Sequence, residues 1–153
     1  MAVFLLDTTV IVDTLNGKKA RYEFLDALLA QRNILACCSI NVTGVFAGVR
    51  PNEIEATDAF RRNLTFYEVT WEVARRAGEL QRQWRGKGLT LSLPDVTIAA
   101  AAIAHRLTLL TDNKRHFPMP ELSMQSLPVS PGRSHECDRG THECVRYNCI
   151  LYS

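Results

Sequence analysis

Short apolar runs alternate along the chain with segments whose apolar residues recur every three or four positions. The runs are typical of strands buried on both faces of a sheet, and the periodic segments are typical of helices with one buried face. The predicted strands are 2–7, 34–39, 65–70, 107–112 and, at a sheet edge, 122–127, and the predicted helices are 8–17, 20–33, 41–49, 52–64, 71–88 and 94–107. This alternation predicts an α/β domain with a mainly parallel central sheet.

The helix predicted at 41–49 has an unusual residue near its start. Asn41 is expected to cap the first turn, and the helix should end at Arg50 because Pro51 follows. Gly44 then lies three residues after the cap, where Glu or Gln is favoured because its side chain can reach back to the N–H of the cap. Glycine forgoes that hydrogen bond and costs about 1 kcal/mol relative to Ala in a helix interior.

Three acidic residues lie at the ends of predicted elements. Asp7 and Asp112 each end an apolar strand, and Asp95 opens an alanine-rich helix. Each alone is more simply a helix cap or a turn residue. Sites in parallel sheets form at the carboxyl ends of strands, however, and clustered carboxylates repel one another unless a cation such as Mg²⁺ or Mn²⁺ neutralises them. Two such ions about 4 Å apart would activate water and stabilise the leaving oxygen of a phosphodiester.

The composition is that of an ordinary globular protein. The chain has 153 residues, of which 46% are hydrophobic and 22% charged, and a net charge of +2, which permits contact with nucleic acid without indicating it. No apolar run approaches the roughly 20 residues of a membrane-spanning helix. The N-terminal run has no basic start and is broken by Asp7, which is a poor signal peptide. We therefore expect a cytoplasmic protein that does not contact membranes.

The last part of the chain differs from the rest. We predict a folded domain at 1–130 and an atypical tail at 131–153, which lacks apolar periodicity and contains the near-repeat SHEC and THEC. Its possible zinc ligands are His135, Cys137, His142 and Cys144. Their spacing matches no common zinc module, and we interpret the tail as a vector-derived or out-of-frame extension.

Four motifs occur in the order, and at about the spacing, of the PIN-domain ribonucleases. They are FLLDTTVIVD at 4–13, SINVTGVFAGVR at 39–50, LSLPDVTIAAAAIAH at 91–105 and LLTDNKRHF at 109–117. The chain resembles most closely the VapC toxins of bacterial toxin–antitoxin pairs, from about Val3 to Phe117. The resemblance implies a PIN-like three-layer α/β/α domain, metal-dependent cleavage of RNA with Mg²⁺ or Mn²⁺, a homodimer, and a cognate VapB-like antitoxin that covers the site.

The resemblance also implies roles for individual residues. Asp7 matches the first acid of the family and Asp95 the third, so both are implied to be catalytic metal ligands. The fourth acid usually falls in a T-x-D/N stretch, where this chain has Asp112 and Asn113, and either could bind metal directly or through water. The implied supporting residues are Thr9 and His116. Thr111, which precedes Asp112, is a further supporting candidate because its hydroxyl could orient a carboxylate.

The second acid of the family is missing. The family pattern S-x-T-x-x-E aligns with SINVTG, so that Asn41 replaces the usual Thr and Gly44 replaces the glutamate. Either a natural chain lost its activity or an active toxin was disarmed, and the intact rest of the motif favours the second. An accidental inactivating change selected during cloning would fit equally well. Glu53 and Glu55 lie beyond Pro51 and are poorly placed to compensate. We therefore expect impaired catalysis.

Two other functions remain open from the sequence. The first is a non-catalytic module that binds an antitoxin or RNA through the same cleft. The second is a flavodoxin-like phospho-acceptor, which needs a basic residue after a late strand, and Lys114 is a poor candidate. The arginines of the helix at 71–88 would line an RNA groove or simply face solvent. Trp71 and Trp84 are expected to be core or dimer contacts.

Overall fold

A five-stranded, wholly parallel sheet lies at the centre of the computed structural model, which describes residues 1–128. The strands are β1 Val3–Leu6, β2 Ile34–Cys38, β3 Thr65–Tyr67, β4 Thr108–Leu110 and β5 Met124–Gln125. Their order across the sheet is β3-β2-β1-β4-β5, with β5 at an edge as predicted. This order differs from the 2-1-3-4-5 order of flavodoxin-like sheets, which removes the support for the phospho-acceptor hypothesis. The predicted tail and its four candidate zinc ligands lie outside the described residues.

Helices cover both faces of the sheet, so the predicted α/β/α architecture is confirmed. The helices are α1 Thr8–Leu15, α2 Lys19–Ala30, α3 Ser39–Gly48, α4 Ile54–Arg62, α5 Trp71–Gly86 and α6 Leu93–Ala104. Single 3₁₀ turns occur at Pro51–Glu53 and Lys114–His116. In the described part of the chain, no helix combines the length and the apolar character needed to cross a membrane.

The alternation of side chains along the central strand divides the core into two clusters. Leu5 of β1 packs with residues of α5 and α6 on one face, whereas Phe4 and Leu6 pack with residues of α1, α2 and α3 on the other. Within α6, the small and fully buried residues 99–102 allow close approach to α5 and the sheet. The three central strands β1, β2 and β4 are therefore buried on both faces, whereas β3 and β5 at the sheet edges are partly exposed.

The prediction that Asn41 caps α3 is wrong. The helix begins at Ser39 with Cys38 as its N-cap, so that Asn41 is its third residue and Gly44 its sixth. The Asn41 side chain reaches back toward the cap, because its Oδ1 accepts the Cys38 N–H at 2.8 Å. The missing acid at Gly44 therefore lies beyond the capping box, and capping gives no reason to expect a glutamate there.

Several aromatic and apolar residues lie on the surface. Trp71, predicted as a core or dimer contact, is 71% exposed, and its ring lies beneath the Arg75 guanidinium. Trp84 packs against the core as predicted. In α2, Leu25 and Leu28 are buried, whereas Tyr22 and Leu29 are exposed.

Candidate functional site

The candidate site lies where the strand order changes direction. From β1 the chain proceeds through β2 to β3 on one side, and then through β4 to β5 on the other, so that a crevice forms at the carboxyl ends of β1 and β4. Leu6 pairs with Leu110, and the Asp7 N–H donates to the Leu110 carbonyl at 3.0 Å. This register places Asp7 beside Thr111, although 104 positions separate them in the sequence.

Two hydrogen bonds hold the Asp7 carboxylate in place. Asp7 is only 5% exposed and is the N-cap of α1, where its Oδ1 accepts the Thr8 N–H at 2.8 Å. Its Oδ2 accepts the Thr111 hydroxyl at 2.7 Å. Thr111 in turn accepts the Asn113 N–H at 3.0 Å, so the segment after β4 is tied to Asp7. The carboxylate that Thr111 orients is therefore Asp7.

Asp95 reaches the same pocket from the first turn of α6. Ser92 caps this helix and accepts the Asp95 N–H at 3.2 Å, and Pro94 occupies a first-turn position that needs no donor. Asp95 Oδ2 lies 3.4 Å from His116 Nδ1. The lining of the pocket consists of Asp7, Thr8, Thr9, Ser92, Pro94, Asp95 and Ile98.

The environment of the pocket disfavours negative charge. Burial raises the pKa of the Asp7 carboxyl above its ordinary 3.8, and repulsion from Asp95 raises it further, while the hydrogen bonds from Thr111 and Thr8 and the nearby His116 lower it. Burial likewise raises the pKa of Asp95, against the lowering effects of Ser92 and His116. A bound cation would offset the cost of burying the two charged carboxylates and the repulsion between them.

Asp112 lies at the same sheet edge with a different partner. Its side chain is 37% exposed and forms an ion pair with Arg21 of α2, which also approaches Asp13. The backbone of Asn113 bonds to Thr111. Asp7 and Asp95 thus share one pocket with Thr9, whereas the Asp112 carboxylate is held by an arginine.

Gly44 lies on α3, which packs against α1 and α6, the two helices that contribute residues to the pocket. Asn41, one turn earlier on nearly the same face of α3, is fully buried and donates from Nδ2 to the Thr8 Oγ1 at 2.9 Å. Thr8 follows Asp7 and lines the pocket. A side chain at position 44 would therefore project from the face of α3 that is tied to the pocket.

Sequence reasoning missed two residues that shape this site. Ser92 could have been found, because Ser three residues before an acid at a helix start is a capping pattern. Arg21 had no such signal, because its partner Asp112 lies 91 positions away and no local spacing relates them.

The donor set suits one hydrated ion better than two. Within residues 1–128, no group of three or more His, Cys, Asp and Glu side chains is arranged to hold a metal ion. Mg²⁺ keeps several waters and commonly uses only one or two carboxylates together with substrate phosphates. The Asp7 and Asp95 carboxylates fit that requirement, and their raised pKa values are what two acids without a neutralising cation show.

Comparison with known sequences identifies relatives over most of the chain. The PIN domain family matches residues 4–121. Ribonuclease VapC19 of Mycobacterium tuberculosis is 38% identical over 119 residues, which cover 77% of this chain and 95% of the relative. Ribonuclease VapC2 of Rickettsia felis is 28% identical over 130 residues, covering 81% and 97% respectively.

Solved structures show the same fold. VapBC2 from Rickettsia felis, bound to a DNA fragment from its promoter, contains a chain that is 27% identical, with a TM-score of 0.70 and coverage of 81% of this chain and 98% of that one. A toxin–antitoxin complex from Klebsiella pneumoniae contains a chain that is 26% identical, with a TM-score of 0.64 and coverage of 80% and 95%. The chain therefore belongs to the PIN domain family and is of the VapC type.

Proposed function

We propose that this protein is a VapC-type endoribonuclease toxin that hydrolyses RNA phosphodiesters with Mg²⁺ or Mn²⁺, with catalysis impaired because Gly44 stands in place of a glutamate. The observation that carries the proposal is the pocket in which Asp7 and Asp95 meet, in a chain 38% identical to a protein named ribonuclease VapC19. Such a toxin would act in the cytoplasm, where its RNA substrates are.

The residues of the pocket divide into ligands and supports. Asp7 and Asp95 would hold the ion, with Asp112 and Asn113 as the further ligands implied by the family. When bound, the ion would lower the pKa of a water molecule and stabilise charge on the leaving oxygen. Thr8 and Thr111 keep Asp7 in one orientation, because each donates to a different carboxylate oxygen. This fixed orientation reduces the reorganisation needed during reaction.

The remaining supports contact the ligands or line the pocket. His116 lies against the Asp95 carboxylate and restricts its orientation. Thr9 lines the pocket, where its hydroxyl can bind water or an RNA phosphate oxygen. Without an acid at position 44 the pocket loses one negative charge and one oxygen ligand, so that a second ion has too few ligands.

The proposed protein partners of this chain are based on the complexes from which similar structures come. The chains of similar fold come from VapBC and other toxin–antitoxin complexes. We accordingly propose a VapB-like antitoxin that covers the acidic pocket and a homodimeric toxin. The antitoxin would neutralise the toxin by placing its own cationic side chains against the Asp7 and Asp95 carboxylates, whose charge is otherwise poorly compensated.

The decisive experiment restores the acid. We expect Gly44→Glu to raise Mg²⁺- or Mn²⁺-dependent cleavage of RNA by at least about tenfold over the present chain, since even residues that only support metal ligands are commonly worth tenfold to hundredfold. Cleavage is measured on total and structured RNA with purified protein, and growth arrest is measured on induction.

The matched control is Gly44→Gln, which adds a side chain of the same shape without the charge and should leave cleavage at the original level. Adding Asp7→Asn to the Gly44→Glu chain should abolish the restored activity. Strong cleavage by the unaltered chain, lost on Asp7→Asn, would show that a glutamate at 44 is dispensable. Absence of cleavage by the Gly44→Glu chain on every RNA would favour a non-catalytic module that binds an antitoxin or RNA.

A further inference from the structure

Arg21 makes an ion pair that removes an acid from the candidate metal cluster. It lies in the first turn of α2, and its side chain is only 18% exposed. Its Nη2 donates to Asp112 Oδ2, while its Nε lies 3.6 Å from Asp13 Oδ2. One guanidinium therefore bridges a carboxylate of α1 and the carboxylate that follows β4.

A second cation stabilises the bridge on its far side. Lys18 Nζ donates to Asp13 Oδ1 at 2.6 Å, so that Asp13 is shared between Lys18 and Arg21. The two acids and two bases of this network balance in charge. The Asp112 carboxylate is consequently neutralised before any divalent ion arrives, and the guanidinium would repel such an ion.

Asp112 nevertheless follows directly after a residue that contacts the pocket. Its neighbour Thr111 is bonded to Asp7 Oδ2, and adjacent Cα atoms are about 3.8 Å apart. Because Thr111 is fully buried while the Asp112 side chain is 37% exposed, the side chain can change rotamer without moving the backbone.

We propose that Arg21 is a positioning residue that holds Asp112 away from the pocket of Asp7 and Asp95, so that Asp112 becomes a ligand for a divalent cation only when Arg21 releases it. The inference rests on the proposed function in taking the Asp7 and Asp95 pocket as the cation site. It adds an intramolecular contact that weakens metal binding, independent of the residue at position 44.

Metal binding by the full chain tests the proposal directly. Titration of Arg21→Gln with MnCl₂ and MgCl₂ in a calorimeter should show affinity about fivefold higher than that of the unaltered chain, since a competing ion pair of this exposure is worth up to about 1 kcal/mol. The gain should disappear when Asp112→Asn is added, because the released ligand is then absent. Arg21→Lys, which keeps a cation near Asp112, should give a smaller gain.

Lys18→Gln is the matched control, because it removes a neighbouring positive charge that pairs with Asp13 rather than with Asp112. An equal gain in Lys18→Gln, or a gain that persists with Asp112→Asn, would assign the effect to net charge and overturn the proposal. Unchanged or weaker affinity in Arg21→Gln, or no measurable binding by either protein, would overturn it as well. These outcomes do not depend on RNA cleavage. If the Gly44→Glu protein fails to cleave RNA, that result contradicts the proposed ribonuclease function and not the role of Arg21.

Discussion

Asp7 shows how one residue combines structural and chemical roles. As the N-cap of α1 it satisfies a backbone donor, and through Thr111 it links the ends of β1 and β4. Its burial beside Asp95 makes the charged carboxylate unfavourable and raises its pKa. A group whose pKa is raised on folding stabilises the fold below the pKa of the unfolded chain, and that stabilisation is lost as pH rises through the folded pKa.

Asp7→Asn should therefore raise the stability of the metal-free protein at neutral pH. Asn keeps the cap, because its side-chain oxygen can still accept the Thr8 N–H, and it removes the buried charge. The difference between variant and parent should shrink as pH falls below the ordinary Asp value of 3.8, where the parent carboxyl is protonated in both states. Urea unfolding at several values between about pH 3.5, near the ordinary pKa of Asp, and about pH 7.5 measures this difference in stability, with a chelator present to keep the protein metal-free.

Asp112→Asn is the control for this comparison. Asp112 is paired with Arg21 and more exposed, so its neutralisation should give no gain in stability at neutral pH. A lower stability of Asp7→Asn than of the parent at neutral pH would mean that the hydrogen bonds of the carboxylate outweigh the cost of its burial.

At the scale of elements, the start of α3 is where local and tertiary demands meet. Asn41 accepts from Cys38, which lies in β2 and caps the helix, and it donates to Thr8 at the start of α1. One buried amide thus joins a strand and two helices, and it fixes the face of α3 that carries Gly44. Val45, one turn after Asn41, is buried in the core on the same side.

Asn41→Ala should lower the free energy of unfolding by about 2–3 kcal/mol, because it leaves the buried Cys38 N–H and the Thr8 hydroxyl without their partner. Chemical denaturation measures the loss. Thr43→Ala, on the exposed side of the same helix, is the matched control and should change stability by no more than about 0.5 kcal/mol. Equal effects of the two variants would contradict the linking role assigned to Asn41.

At the scale of the whole molecule, the sheet order determines where chemistry can occur. Because β1 lies between β2 and β4, the segments that follow β1 and β4 meet at a crevice, and α6 brings Asp95 to it. The two core clusters on opposite faces of the sheet include residues from β5 and its flanks, namely Met124, Leu122 and Leu127.

Truncation tests the predicted domain boundary. A chain ending at residue 130 should keep the melting temperature and circular dichroism of the full chain, because all five described strands and every described core residue lie within 1–128. A chain ending at Pro120 should be much less stable, because it loses β5 and the buried Leu122 and Leu127, each worth about 1.5–3 kcal/mol of burial. Loss of the fold in the longer fragment would show that the domain extends beyond residue 130.

Much of the fold followed from local pattern, and part of the site did as well. Apolar runs and helical spacing gave the order and type of the elements, because burial selects side chains residue by residue along each strand and helix. Asp7, which follows β1, and Asp95, in the first turn of α6, could be recognised for the same reason. The capping role expected of Asn41 was wrong, since a side chain of this kind can bond forward into its helix or back toward the preceding strand.

The sequence by itself determined which segments are buried, which residues end them, and which family the motifs resemble, because these properties depend on neighbours in the chain. Tertiary structure alone decided which side chains meet at those ends. Thr8 contacts Asn41 across 33 positions, and Asp112 is held by Arg21 across 91. Such partners are selected by the order of strands in the sheet and the path of the chain between them, which no local spacing records.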